Sequence, residues 1–344
     1  MTEPQDVQAA LQHRQRVMEM ARAFRVSQIL FTCIELGVFD AIAGGARTDE
    51  EIAAAINATP RGAARLLGAA TALGLVEKRQ NGFVNTPMAE TCLTRGGSAY
   101  VGDSLKLESA FRRRWEHLTA AIRTGQRPEE NVRDEKAEDW VRNFEHALFD
   151  MASPVAPFVA SALALPQNRP LRVLDVGGGH GAYSIALARR YPQLKATIFE
   201  LPCVVPVARE IIAQAGLSDR VFVQEGDFQR DELGSGYDVA LVFGVLNGEP
   251  PEGRPALISK VFRALDPGGF IVLRDLVLNA DRTGPLEAMI FDLQMLLATD
   301  AGGLDTAEEW TRWLVAAGFA PPRAIALPVW IGPPLIVAEK PAAG

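Results

Sequence analysis

The chain has 344 residues, of which 48% are hydrophobic and 22% charged, and a formal net charge of -7 at pH 7. That length predicts two cores, because a single core seldom serves more than roughly 250–300 residues, and the composition excludes a disordered or fibrous chain. The acidic balance also excludes the broad basic footprint that a nucleic-acid backbone demands.

No run approaches the roughly 18 apolar residues of a spanning helix, and the polar opening Met1-Thr-Glu-Pro-Gln-Asp6 lacks a leader's basic and apolar regions. A cytoplasmic protein with neither nucleic-acid nor membrane partners is expected. Cys33, Cys92 and Cys203 form no CxxC, and His13, His117, His146 and His180 form no HExxH, so neither disulfides nor a bound metal are predicted.

From about Gln8 to Leu93 the apolar spacing is helical. Val17, Met20, Ala21, Phe24 and Gln28-Ile-Leu-Phe31 keep one stripe, punctuated at Gly37 and Gly44-Gly45. Thr48-Asp-Glu-Glu51 is a capping signature ahead of Ile52-Ala-Ala-Ala-Ile56, and Thr59-Pro60 opens another helix through Leu66, Leu67 and Ala70. Leu73 to Thr86 then reads as a hairpin turning at Asn81-Gly82. Helix, helix and hairpin make a winged-helix unit. Its Arg47, Arg61, Arg65, Lys78 and Arg79 are matched by Asp49, Glu50, Glu51, Glu77 and Glu90, so a structural or dimerising role is expected over DNA binding.

Residues 99–165 connect the two domains, with charged Phe111-Arg-Arg-Arg-Trp-Glu-His117 and a polar stretch from Gly125 to Lys136. Trp115, Phe144, Leu148 and Phe149 are candidates to roof a pocket in the next domain, and core packing explains each of them equally well. From Leu171 onward strand-like runs alternate with helical ones: Leu171–Val176, Ala196–Phe199, Val221–Gln224, Tyr237–Val242 and Gly269–Leu273. Alternation of this kind predicts an α/β fold with a parallel, Rossmann-like sheet. The end, Arg323 to Ala338, reads instead as two strands joined directly, a terminal antiparallel pair. The predicted domains are thus 1–98, 99–165 and 166–344.

Strand Val173-Leu-Asp-Val176 runs into Gly177-Gly-Gly-His-Gly181 and then a helix. Glycines there let the backbone turn sharply at the strand's carboxyl end and approach a ligand. The loop alone does not separate a nicotinamide cofactor from others. Three acids do. Glu200 closes the second strand, where a carboxylate accepts both ribose hydroxyls. Asp227 closes the third, where it can take an adenine amino group with Phe228 stacked on the ring. Asp175 can meet the ammonium of an amino-acid tail, which a pyrophosphate ligand lacks. Together these suit S-adenosylmethionine better than NAD.

Leu174-Asp-Val-Gly-Gly-Gly179, Phe199-Glu-Leu-Pro202, Gly226-Asp-Phe228, Asp266-Pro-Gly-Gly269 and Glu308-Glu-Trp310 through Ala317-Gly-Phe319 occur here in order. In these motifs the chain resembles the plant-type small-molecule O-methyltransferases, which include caffeate, hydroxyindole and bacterial polyketide-tailoring enzymes. The resemblance implies a seven-stranded methyltransferase sheet, an N-terminal winged-helix dimerisation domain and a homodimer. It also implies cofactor contacts from Gly177, Gly179, Glu200, Leu201, Asp227 and Phe228, while Phe243 stands where the family has a basic or polar residue near the methionine tail, a departure that suggests altered chemistry.

In that family a histidine follows the fourth strand as general base. Here Val242-Phe-Gly-Val-Leu-Asn-Gly-Glu249 puts Asn247 in its place, and a neutral amide orients an acceptor without taking its proton. The family's two bracing glutamates correspond to Asp275 and, less directly, Asp305. Asp275 is a candidate proton acceptor beside Asn247, whereas Asp305 is expected to cap the helix from Thr306. Three readings follow: O-methylation with Asp275, Glu249 or water taking the proton; C- or N-methylation, which needs placement more than a base; or cofactor binding without methyl transfer, as a regulator or another enzyme. Met289, Phe291 and Met295, on the helix from Leu286 to Leu297, suit either an apolar wall for a planar acceptor or plain core packing.

Overall fold

A computed structural model describes residues 4–128 and 138–342, which divide into two compact units, Met1–Ser109 and Ala110–Gly344. Most of the polar stretch predicted from Gly125 to Lys136 lies outside the described residues.

The first unit begins with α1 (Pro4–Arg22) and α2 (Phe24–Leu36), followed by α3 (Val38–Ala43), α4 (Asp49–Ala55), α5 (Pro60–Ala72), the hairpin β1 (Val76–Arg79) and β2 (Gly82–Asn85), and α6 (Pro87–Cys92). The caps form as their residue types require. The Thr48 hydroxyl accepts from the Glu51 amide at 3.1 Å while Glu51 reaches back to the Thr48 amide, and Thr59 accepts from Gly62 ahead of α5. The hairpin turns at Gln80-Asn81, one residue earlier than predicted. Gly82 instead opens β2, because a Cβ there would sit 2.4 Å from the Arg47 carbonyl oxygen against which the strand lies. Cys33, Phe39, Ile52, Leu67 and Phe83 centre the core of this unit, each large one contributing about 1.5–3 kcal/mol. Leu11, Val17, Met20, Phe24 and Val26 on α1 and α2 stay exposed.

Helix α7 (Gly102–Trp115) runs across the boundary between units. The second unit continues with α8 (Leu118–Thr124), α9 (Glu138–Ala152) and α10 (Ala156–Ala162). Then come β3 (Leu171–Val176), α11 (Ala182–Arg190), β4 (Leu194–Glu200), α12 (Val205–Gln214), β5 (Val221–Glu225), β6 (Tyr237–Phe243), α13 (Gly253–Ala264), β7 (Leu265–Arg274), α14 (Leu286–Ala298), α15 (Ala307–Ala317), β8 (Arg323–Ile325) and β9 (Leu335–Glu339). Its seven-stranded sheet has the order β5-β4-β3-β6-β7-β9-β8. The first five strands are parallel, and β9 inserts antiparallel between β7 and β8, so the predicted α/β class and terminal pair both form.

Strands buried on both faces read as continuous apolar runs. Val173, Leu174 and Val176 of β3, and Val239 to Val242 of β6, are all buried. The strand order reverses between β3 and β6, each connected outward in opposite directions. The carboxyl end of that pair is where an open α/β sheet holds a ligand.

Candidate active site

The glycine loop leaves β3 with Gly177, Gly179 and Gly181 at φ +61°, +45° and +70°, conformations that glycine adopts without strain. Space excludes side chains as well. A Cβ on Gly177 would lie 2.9 Å from Val245, one on Gly178 would lie 2.5 Å from Asp175, and one on Gly179 would lie 2.5 Å from an oxygen of Glu145.

Glu200, at the end of β4, is buried and holds this loop: its Oε2 accepts from the Gly179 amide at 3.0 Å and its Oε1 from the Leu201 amide at 2.7 Å. Asp175 is buried against Gly178, and its Oδ2 accepts from the Ser184 hydroxyl at 2.6 Å. Burial raises its carboxyl to about 7. His180 is also buried, which lowers it to about 4, and its Nδ1 accepts from the Ala182 amide at 3.1 Å. It stays neutral near pH 7.

Beyond β5, Asp227 accepts from the Gln229 amide at 2.9 Å, and Phe228 packs near Gly177. Leu201 is exposed beside Glu200. Phe243 ends β6, edge-on to Tyr183 at 4.8 Å, whose hydroxyl accepts from Arg274 at 2.9 Å.

After β6 a short 3-10 turn, Leu246–Gly248, carries Asn247, which is 9% exposed. Its Nδ2 donates to Asp275 Oδ2 at 2.8 Å, and Asp275 Oδ1 accepts from the Leu276 amide at 2.8 Å. Burial raises Asp275 to about 6, against the lowering effect of those hydrogen bonds. Val245, against Gly177, links this turn to the loop. Glu249 is turned toward Gln229, whose Nε2 donates to both its oxygens at 3.0 and 3.1 Å.

Asp305 is not the cap of α15. Thr306 fills that role itself, with Glu309 completing a capping box. Asp305 is buried and instead pairs with Arg254 and accepts from Trp310 Nε1 at 3.2 Å. Arg254 also donates to the Glu249 carbonyl at 3.0 Å, while the Asn247 carbonyl accepts from Gly303 at 2.9 Å. The pair therefore clasps the Asn247 turn to the segment before α15.

Trp115 donates through Nε1 to Gln294 on α14 at 2.6 Å, beside buried Met295; Met289 packs with Leu278 and Leu304, and Leu148 is half-buried on α9. Sequence reasoning missed Glu145, which is 5% exposed. The signal was present: Val141, Glu145, Leu148 and Ala152 recur at helical spacing, so an acid occupies a core-facing position. Among the described residues no group of three or more His, Cys, Asp or Glu side chains could hold a metal ion, and no helix is long and apolar enough to cross a membrane.

An O-methyltransferase domain matches residues 115–320, and an O-methyltransferase dimerisation domain matches residues 18–95. The chain belongs to the O-methyltransferase family. It is 32% identical over 314 residues to the 3-hydroxy-5-methyl-1-naphthoate 3-O-methyltransferase of Streptomyces sahachiroi, covering 89% of this chain and 90% of that one. It is 30% identical over 341 residues to the N,N-dimethyltransferase OxyT of Streptomyces rimosus, covering 94% and 96%. Human N-acetylserotonin methyltransferase in complex with SAM superposes with a TM-score of 0.84 at 28% identity, covering 96% of this chain and 98% of that one.

The protein is an S-adenosylmethionine-dependent methyltransferase. Its residues fit that cofactor. A glycine cradle that any Cβ would fill lies among buried acids, and one carboxylate oxygen of Glu145 has no hydrogen-bond partner. A zwitterionic, cationic nucleoside suits such a donor-poor, acid-rich pocket.

Proposed function

We propose that this enzyme methylates an oxygen of a small, planar, hydrophobic metabolite of aromatic or polyketide type, with Asn247 orienting the acceptor and Asp275 receiving its proton. The observation that carries the reading is the hydrogen bond from Asn247 to a desolvated Asp275. The family membership and the naphthoate enzyme among its relatives support the acceptor class.

Bound S-adenosylmethionine supplies a methyl group on a sulfonium whose thioether leaves without a proton. Asp175, Gly177, Gly179, Glu200, Leu201, Asp227, Phe228 and Phe243 would hold it. Placement of the nucleophile behind the methyl is the main demand on the protein. A phenol with a pKa near 10 gains from a base nearby, and a carboxylate raised to about 6 serves better than one at its usual value. The Asn247 amide gives one hydrogen to Asp275 and has a second for the acceptor oxygen. Trp115, Leu148, Met289 and Met295 form the apolar wall.

The enzyme acts as a homodimer in the cytoplasm. The dimerisation domain and the exposed apolar face of α1 and α2 support the first, and three free cysteines suit the second. A second reading, N-methylation, is favoured by Asn247 itself, since an amine needs no base of this kind, and by the N,N-dimethyltransferase relative.

The test is transfer from labelled cofactor to a panel of naphthoates, hydroxyquinones and aromatic amines, with the methylated atom located by mass spectrometry and NMR. Oxygen products formed at a rate that rises through about pH 6 and then levels, a rise that Asp275→Asn removes, are expected. Turnover of amines alone, flat in pH, would replace this reading with the second.

A further inference from the structure

The buried acids around the glycine loop are not equally satisfied. Both Glu200 oxygens accept backbone amides, and Asp175 accepts the Ser184 hydroxyl. Glu145 Oε2 is buried with no partner and points at Gly179. Cations nearby are committed elsewhere. Arg142, three residues earlier on α9, pairs with Glu210 of α12 at 2.7 Å, and Arg274 donates to the Tyr183 hydroxyl and the Ile331 carbonyl. His180 is neutral and uses Nδ1 as an acceptor. Burial makes this carboxyl costly to ionise and leaves one oxygen without a partner, so the position favours a cationic hydrogen-bond donor from outside the chain.

We infer that Glu145 is the receptor for the α-ammonium group of the cofactor's amino-acid tail. This inference rests on the reading that the glycine loop and Glu200 hold S-adenosylmethionine. Of the cofactor's groups only the ammonium supplies both the missing hydrogens and the missing charge. The ribose hydroxyls and adenine amino group are neutral, and the sulfonium has no hydrogen to give. Asp175 then holds the cofactor indirectly, from beside Gly178 and tied to Ser184, as the loop's support.

Titration follows from this position. Burial raises Glu145 to about 8, the neighbouring Glu200 charge adds to the rise, and the His180 amide opposes it. Glu145 is therefore mostly protonated at pH 7 without ligand. An arriving ammonium reverses that preference, so binding expels the proton and affinity climbs as pH rises toward about 8. Asp175, raised to about 7, and Glu200, also raised by burial, are the other acids in the pocket able to release a proton, which the variant below separates.

The experiment is titration calorimetry of the full chain at pH 7 in two buffers of different ionisation heat. The ligands are S-adenosylhomocysteine and 5′-methylthioadenosine, which keeps the nucleoside and thioether but lacks the amino-acid tail. The wild type should release most of one proton with the first and none with the second. Glu145→Gln should lose that release and bind S-adenosylhomocysteine about tenfold more weakly at pH 8, with methylthioadenosine affinity changed less than twofold. Equal proton release with both ligands assigns the proton to the nucleoside end, at Glu145 or Glu200, and overturns the inference. So does unchanged S-adenosylhomocysteine affinity and release in the variant. Should Glu145→Gln bind neither ligand, the wild-type proton counts decide alone. Failure of the wild type to bind S-adenosylhomocysteine at all would instead sink the underlying assignment of the cofactor site.

Discussion

The two ends of the site are built on different principles. Around Gly177–Gly181 the backbone itself makes the pocket: three residues at positive φ, amides closing onto Glu200, and no room for a single Cβ. Around Asn247 side chains make the site, an amide on a carboxylate braced by a buried ion pair. A backbone-built pocket tolerates little chemical change and fixes what is bound. A side-chain-built one is open to rewriting by single substitutions, so its chemistry can change while the glycine loop keeps its form.

The largest effect is expected at the brace. Asp305→Ala leaves Arg254, 5% exposed, as a buried cation without its counter-ion. Loss of about 3–5 kcal/mol should appear in urea unfolding. A loss below about 1 kcal/mol would show that side chains do not frame this end. Next comes Asp275→Asn, expected to lower kcat about 100-fold and to flatten the rise through about pH 6 without altering affinity for S-adenosylhomocysteine.

A glycine pair sharpens the contrast further. Gly179→Ala meets both a φ of +45° and Glu145 at 2.5 Å, so S-adenosylhomocysteine affinity should fall at least about tenfold. Gly248, beside Asn247, has open space where its Cβ would go and no positive φ, so Gly248→Ala should change affinity and rate less than twofold. Equal effects at both glycines, read by calorimetry and initial rates, would erase the distinction.

The backbone-built end was largely legible in the sequence. Glycine spacing, strand alternation and the capping box at Thr48 are local, and local rules decode them. The late antiparallel pair was legible too, since β8 and β9 follow each other without an intervening crossover helix. The side-chain-built end was not. Asp305 stands two residues before α15, next to the Thr306 cap, and reads as that cap, yet its partner Arg254 lies 51 residues earlier, a pairing that no local pattern encodes. Glu145 escaped for a related reason: its place on the apolar face of α9 is visible, but which loop that face meets depends on how α9 packs on the sheet domain. The hairpin turn moved by one residue because Gly82 answers to Arg47, a contact thirty-five positions away.

The smallest change tests the contrast most directly. Asn247→His restores a titratable ring where the amide now sits, 2.8 Å from Asp275. Because the cofactor end is held by its own backbone amides, affinity for S-adenosylhomocysteine should move less than twofold. The pH profile should move more. An imidazole beside an ionised carboxylate is held protonated to higher pH, so its pKa lies above the usual value near 6.5. Transfer limited by that base then rises at higher pH than the wild type's inflection near 6, and the displacement is readable even where the rate itself changes little. A profile still rising at about 6 would place the proton on Asp275 with either residue at 247. A fall in cofactor affinity would mean that the two ends are coupled through Val245 and Gly177, where a Cβ would stand only 2.9 Å away.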